Sequence, residues 1–129
     1  MKKKIDILTD RIIGAAIQVH RELGPGLLES AYEACFFYEL CDRSLKVERQ
    51  KSLPVKYRGI VLDCGYRIDL LVEDKVIIEL KAVEQLLPIH RAQVLSYLKL
   101  SECRLGLLIN FNVLLLKTGI QRLVLNLPE

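Results

Sequence analysis

Val76-Ile77-Ile78-Glu79-Leu80-Lys81-Ala82 is the stretch that decides the fold. Strand alternation sends Val76, Ile78, Leu80 and Ala82 to one face and Ile77, Glu79 and Lys81 to the other. A run so rich in β-branched residues reads as a buried strand. Helical spacing follows from Leu86 to Leu100, through Ile89, Val94, Leu95 and Leu98, and then a second apolar run from Leu105 to Phe111. Strand, helix and strand in that order predict a β-α-β crossover with parallel strands. Two charges on a face that a helix covers cost roughly several kcal/mol in desolvation unless they are paired or bound. Glu79 and Lys81 therefore ask for a reason, of which an i, i+2 ion pair is the plainest.

Asp69 supplies another. In Tyr66-Arg67-Ile68-Asp69-Leu70-Leu71-Val72 it falls inside an aliphatic strand. If the polar turn Glu73-Asp74-Lys75 is centred on Asp74, residues 69 and 79 are equidistant from it and oppose each other on one face. Opposed carboxylates repel without a cation or a shared proton. A hard divalent ion such as Mg²⁺ or Mn²⁺ resolves the conflict, because it takes oxygen ligands and is content with one or two carboxylates plus phosphate and water. Lys81 could then stabilise charge growing on a phosphate or attacking water, or simply neutralise the acids. The argument requires an odd-length turn, since a slip of one residue reverses every side chain.

Upstream, Ile5 to Leu23 carries apolar residues at Ile5, Leu8, Ile12, Ala16, Val19 and Leu23, an amphipathic helix stopped by Gly24-Pro25-Gly26. A second helix is expected from Leu27 to about Cys41, burying Leu28, Tyr32, Cys35, Phe36 and Leu40. Val47 to Tyr57 is extended and broken at Pro54, as an edge strand would be. Arg58-Gly59 is a turn, and Ile60 to Val72 is extended with a corner at Gly65. Beyond Phe111, strands are expected at Val113 to Leu116 and, after Gly119, at Ile120 to Leu127. The order α-α-β-β-β-α-β-β(β) predicts an α/β fold with a mixed central sheet flanked by helices, in one domain over residues 1–129.

Composition narrows the class. Of 129 residues 51% are hydrophobic and 27% charged, which supports a packed core and excludes a disordered chain. A net charge of +3 tolerates a polyanion without demanding one. Cys35, Cys41, Cys64 and Cys103 match no zinc spacing and are expected to be free, partly buried thiols. Charged residues interrupt the basic start before any apolar segment forms, and no run reaches membrane-span length, so a cytoplasmic protein is expected.

Asp69…Glu79-x-Lys81 resembles the PD-(D/E)XK nuclease superfamily, with Ile68 where the proline of that motif would stand. Gly26-Leu27-Leu28-Glu29-Ser30-Ala31-Tyr32 is similar to the signature of the GxxExxY protein family. His20 to Gly26, Glu79 to Ala82, His90-x-x-Gln93, Tyr97-Leu98 and Asn110-Phe111 resemble it as well, so the likeness covers nearly the whole chain. The resemblance implies a restriction-endonuclease-like core. It makes Glu29 a helix-borne carboxylate added to the metal site, and Gln93-x-x-x-Tyr97 a match to the Q-x-x-x-Y motif of RecB-like nucleases. Plainer roles stand beside these: an acid in the first turn of a helix complements its dipole, and His90, Gln93 and Tyr97 share one helix rim. His20 caps its helix or approaches the acids. Lys46, Arg49, Lys51, Lys56 and Arg58 track a phosphate backbone or form a solvated edge.

The expected function is a metal-dependent nuclease cleaving phosphodiester bonds, in DNA rather than RNA. Glu29, Asp69, Glu79 and the carbonyl of Leu80 hold Mg²⁺ or Mn²⁺, Lys81 assists, and His90, Gln93 and Tyr97 position the substrate. No serine or cysteine is paired with a base for covalent catalysis. The alternatives are a non-catalytic nucleic-acid-binding or assembly module that keeps the fold, and a metal-dependent hydrolase of another phosphoester. A chain of this size would draw specificity from loops, from a homodimer or from a larger complex.

Overall fold

A computed structural model of the chain describes residues 1–125; of the last expected strand, residues 126 and 127 lie outside that range. Two helices open the chain, α1 (Lys4–Leu23) and α2 (Glu29–Asp42), and the strands β1 (Val47–Ser52), β2 (Val55–Tyr57), β3 (Ile60–Leu62), β4 (Arg67–Val72) and β5 (Val76–Lys81) follow. The crossover helix α3 (Pro88–Ser101) leads to β6 (Leu105–Asn110), a short 3₁₀ turn (Leu116–Gly119) and β7 (Ile120–Val124). The central sheet has the order β1-β4-β5-β6-β7, while β2 and β3 form a separate two-stranded ribbon. Among the described residues only β5 and β6 run parallel, joined through α3 as the apolar spacing predicts.

Alternation along β5 divides the core. Val76, Ile78 and Leu80 pack with Leu105, Leu107 and Ile109 under Ile12, Ala16 and Val19 of α1 and Tyr32, Phe36 and Leu40 of α2. Ile77 faces the other way, with Leu71, Leu108 and Leu123, against Val94, Tyr97 and Leu98 of α3. The molecule is thus a mixed sheet between two helical layers. β1, reading Val-Glu-Arg-Gln-Lys-Ser, is a half-exposed edge whose charges discourage pairing with another sheet.

The odd-length β4–β5 turn is held from outside. Leu70 pairs with Ile78 and Val72 with Val76, the register expected for a turn centred on Asp74. Lys46 straps it: its amide donates to the Glu73 carboxylate (2.5 Å), its carbonyl accepts from the Glu73 amide (2.8 Å), and its ammonium pairs with Asp74 (2.7 Å).

Four expectations are corrected. Val113–Leu116 is no strand: residues 112–115 are a bend and Leu116 opens the 3₁₀ turn. β6 already pairs with β5 on one side and β7 on the other, so no sheet edge is left for it. Ile60–Val72 is two strands parted at residues 63–66, where the Asp63 carboxylate accepts the Gly65 amide (3.0 Å). Along α2, Cys35 is exposed and Leu28, just before the helix, is 77% exposed; the buried stripe is instead Tyr32, Glu33, Phe36 and Leu40. The cysteines are free, but Cys35, Cys41 and Cys64 are exposed rather than partly buried.

Gly119 lets the chain return beneath the end of β6. A Cβ there would run into the carbonyl oxygen of Asn110 and lie 3.2 Å from Val113. Gly119→Ala should therefore lose about 1–3 kcal/mol, the usual cost of overpacking, read as a lower urea midpoint at unchanged slope.

Candidate active site

The site forms where β4 and β5 part. Their ladder ends at Leu70 and Ile78. Beyond it the Asp69 amide donates to Oε2 of Glu79 (2.8 Å), and the Leu80 amide donates to Oδ2 of Asp69 (2.9 Å). Each strand's carboxylate thus takes an amide of the other, and the buried N–H groups stay satisfied although the strands have separated. Asp69 and Glu79 are together, as the turn arithmetic requires.

Their electrostatics are strained. Glu79 is 3% exposed, and burial, followed by repulsion from Asp69, pushes its carboxyl up to about 8. Burial also raises Asp69, with Glu33 and Glu29 adding to it and the bonds from Leu80 and Gln50 opposing it. Lys81, half-buried two residues on, pulls Glu79 back down by its charge. It makes no direct ion pair among the described residues, so the Glu79–Lys81 pair that the spacing allows is not formed.

Glu29 is the first residue of α2, exposed, and near enough that its charge raises both acids. Its position is fixed by Tyr32, whose hydroxyl donates to the Gly24 carbonyl (2.6 Å) and accepts from the Leu27 amide (3.1 Å). The Tyr32 ring stacks on Phe111, with centroids 4.7 Å apart. The tyrosine of G-x-x-E-x-x-Y thereby clamps the loop that presents the glutamate.

On α3, Gln93 donates to the Tyr97 hydroxyl (3.2 Å). Tyr97 is buried; burial first, then the charges of Glu79 and Asp69, raise its phenol, which puts this helix face beside the acids. His90 is used otherwise. Its Nδ1 accepts the Leu87 amide (3.0 Å) at the start of α3, where Pro88 needs no hydrogen bond of its own. His20 is turned away as well: its Nε2 donates to the carbonyl of Val113 (2.8 Å), which anchors the segment after β6.

Two residues escaped the sequence reading. Glu33, buried in α2, accepts Arg49 (2.8 Å) and Gln50 (2.7 Å), and Gln50 also reaches Asp69 (3.3 Å). Gln50 thereby links α2 to the acid pair. The available signal was a carboxylate sitting between Tyr32 and Phe36 on the apolar stripe. Of the basic stretch, Lys46, Arg49 and Lys51 are ion-paired, as a solvated edge would have them.

A family model described as the PD-(D/E)XK nuclease superfamily matches residues 6–123. The chain belongs to the PD-(D/E)XK nuclease superfamily. No curated protein and no solved structure gives a match. In this member Ile68 takes the place of the motif's proline and is buried on the α3 side of the sheet. Among the described residues no group of three or more His, Cys, Asp or Glu is arranged to hold a metal ion, so Glu29 does not complete a three-carboxylate cluster with Asp69 and Glu79. What the superfamily's acids present here is a two-carboxylate set, each member already holding a backbone amide.

The raised acids set a pH dependence. The folded chain keeps the Glu79 proton up to about pH 8, whereas an ordinary glutamate releases it near 4.5. The folded state therefore binds more protons between those values, and stability falls as pH rises through the window. Asp69 is shifted in the same direction. With chelator present, the melting temperature should drop by about 5 °C or more from pH 5 to 8.5. Glu79→Gln, which keeps an acceptor for the Asp69 amide, should remove most of that drop.

Proposed function

We propose that the protein is a metal-dependent nuclease that hydrolyses phosphodiester bonds of DNA, acting as one domain over residues 1–129 in the cytoplasm. The observation that carries this reading is the reciprocal seating of Asp69 and Glu79 at the point where β4 and β5 part, with Lys81 beside them. The subfamily that fits is GxxExxY, because Tyr32 clamps the loop before Glu29 in the way such a signature would need.

The donor set fits a hard divalent ion. Two carboxylates offer oxygen ligands, their mutual repulsion is relieved by positive charge, and Mg²⁺ typically completes its shell with water and phosphate rather than with a protein cage. Asp69, Glu79 and the Leu80 carbonyl would hold Mg²⁺ or Mn²⁺, and Glu29 would act on the ion by its charge, which already reaches both acids, rather than as a ligand. When bound, such an ion supplies an acidified water and offsets charge on the leaving oxygen. The Lys81 ammonium, free of any direct ion pair among the described residues, is available to the phosphate or to the attacking water. Gln93 and Tyr97 orient the strand from α3.

A second reading is a nucleic-acid-binding or assembly module without turnover, in which the two acids, short of a three-ligand group among the described residues, hold backbone amides alone. Incubating circular and linear DNA with Mn²⁺ separates the two. The nuclease reading expects nicking or degradation that disappears with chelator and falls about a hundredfold or more in Lys81→Ala and Glu79→Ala, the scale seen when a charge-stabilising group is removed. Equal cleavage by wild type and both variants would mark a contaminant, and no cleavage by wild type would leave the binding module.

A further inference from the structure

The ribbon of β2 and β3 has no partner in the central sheet. Val55 pairs with Leu62, Lys56 with Val61 and Tyr57 with Ile60. Alternation puts Val55, Tyr57, Ile60 and Leu62 on one face, and the last three are 45–58% exposed. A two-stranded ribbon with an unburied apolar face is marginal in water by itself, so this one is built to lie against something.

Its root is beside the acids. β1 ends at Ser52, which pairs with Arg67, and Asp69 follows two residues later. The Leu53 amide donates to the Tyr66 carbonyl (3.0 Å), closing the base of the ribbon. Tyr66 then sets its ring edge-on to Tyr97, with centroids 6.0 Å apart, and Tyr97 feels the charges of Glu79 and Asp69. The ribbon therefore leaves the sheet at its reactive end.

Its charge is one-sided. From Leu53 to Arg67 the cations Lys56, Arg58 and Arg67 face a single carboxylate, Asp63, which is occupied with the Gly65 amide. None of the three cations makes an ion pair among the described residues, unlike Lys46, Arg49 and Lys51 on the neighbouring edge. Arg58 also stands at the tip with φ 51°, next to Gly59 at φ 79°. A hairpin turn with both central residues at positive φ ordinarily uses Asn, Asp or Gly first. Arginine there accepts backbone strain, and its guanidinium lies over the Tyr57 ring, 5.5 Å from the centroid, without a carboxylate partner among the described residues.

We propose that this ribbon is an arm that enters the major groove of duplex DNA and sets the register of the duplex over Asp69 and Glu79. The B-form major groove admits a two-stranded ribbon, whereas the deep, narrow groove of duplex RNA does not. Lys56 and Arg58 meet the phosphates or base edges, and the apolar face meets the groove wall. The assignment of DNA as the bound polymer rests on the nuclease reading above, but arm binding needs no turnover.

The test is fluorescence anisotropy of a labelled DNA duplex in chelator, over roughly 50–200 mM KCl, with wild type and the double variant Lys56→Ala/Arg58→Ala. The variant should melt at the wild-type temperature, bind about tenfold or more weakly, and show a salt slope reduced by about two, near one per lost cation. Unchanged affinity and slope, or no binding by wild type, overturns the arm. So does a dimer abolished by Ile60→Ser/Leu62→Ser with DNA binding intact, which would make the ribbon a contact between copies. Arm-dependent binding without cleavage in Mn²⁺ supports the arm while removing the nuclease reading. Cleavage with arm-independent binding does the reverse.

Discussion

Everything at the reactive end depends on an exchange of hydrogen-bond acceptors between two diverging strands. Where a continuous ladder would set carbonyl against amide, the carboxylates of Asp69 and Glu79 stand in for the carbonyls. This solves a backbone problem and creates an electrostatic one. The amides are satisfied, but two acids now share a covered space, and those amides together with Gln50 and Lys81 offset only part of the cost of their burial. The free energy given up in folding is what makes the pair receptive to a cation, because the ligand relieves a repulsion that the chain has already assembled.

The two helical layers serve this exchange in different ways. α2 works through order: Tyr32, wedged on Phe111, fixes the Gly-Pro-Gly loop, and Glu33 holds Gln50 against Asp69. α3 works through coverage: Val94, Tyr97 and Leu98 close over Ile77 and keep Glu79 from water. Asn110 joins the layers at the end of β6. Its side chain takes the Val83 amide (3.1 Å) and returns a bond to the Val83 carbonyl (2.9 Å), pinning the chain just after Lys81.

The sheet was readable because its signals are local. Alternation in Val76–Lys81, the odd turn at Asp74 and the helical spacing before Leu105 each need only neighbours in sequence, and together they set both the parallel pair and the meeting of residues 69 and 79. What escaped depends on distant partners. Val113–Leu116 is as apolar as a strand, but whether an apolar run becomes one is decided by a free edge, and β6 has none. Glu33 looks like a misplaced surface acid until Arg49 and Gln50 are seen to fold back over it. His90 shares a helix rim with Gln93 and Tyr97, yet its nitrogen is claimed by the amide of Leu87. The site residues on strands were thus more legible than those on helices, where periodicity gives the face but not the occupation of the side chain.

The strap of Lys46 across the β4–β5 turn has a consequence for how this chain can diverge. Adding or deleting one residue between Val72 and Val76 would invert the parity of one acid relative to the other, so that connection is closed to drift in length. The segment between Leu53 and Tyr66 is open to it, because the bond at its base isolates the sheet from whatever happens beyond. Relatives should accordingly vary in the projecting loop while keeping the tight bend unaltered, and new preferences can arise by remodelling one without disturbing the other.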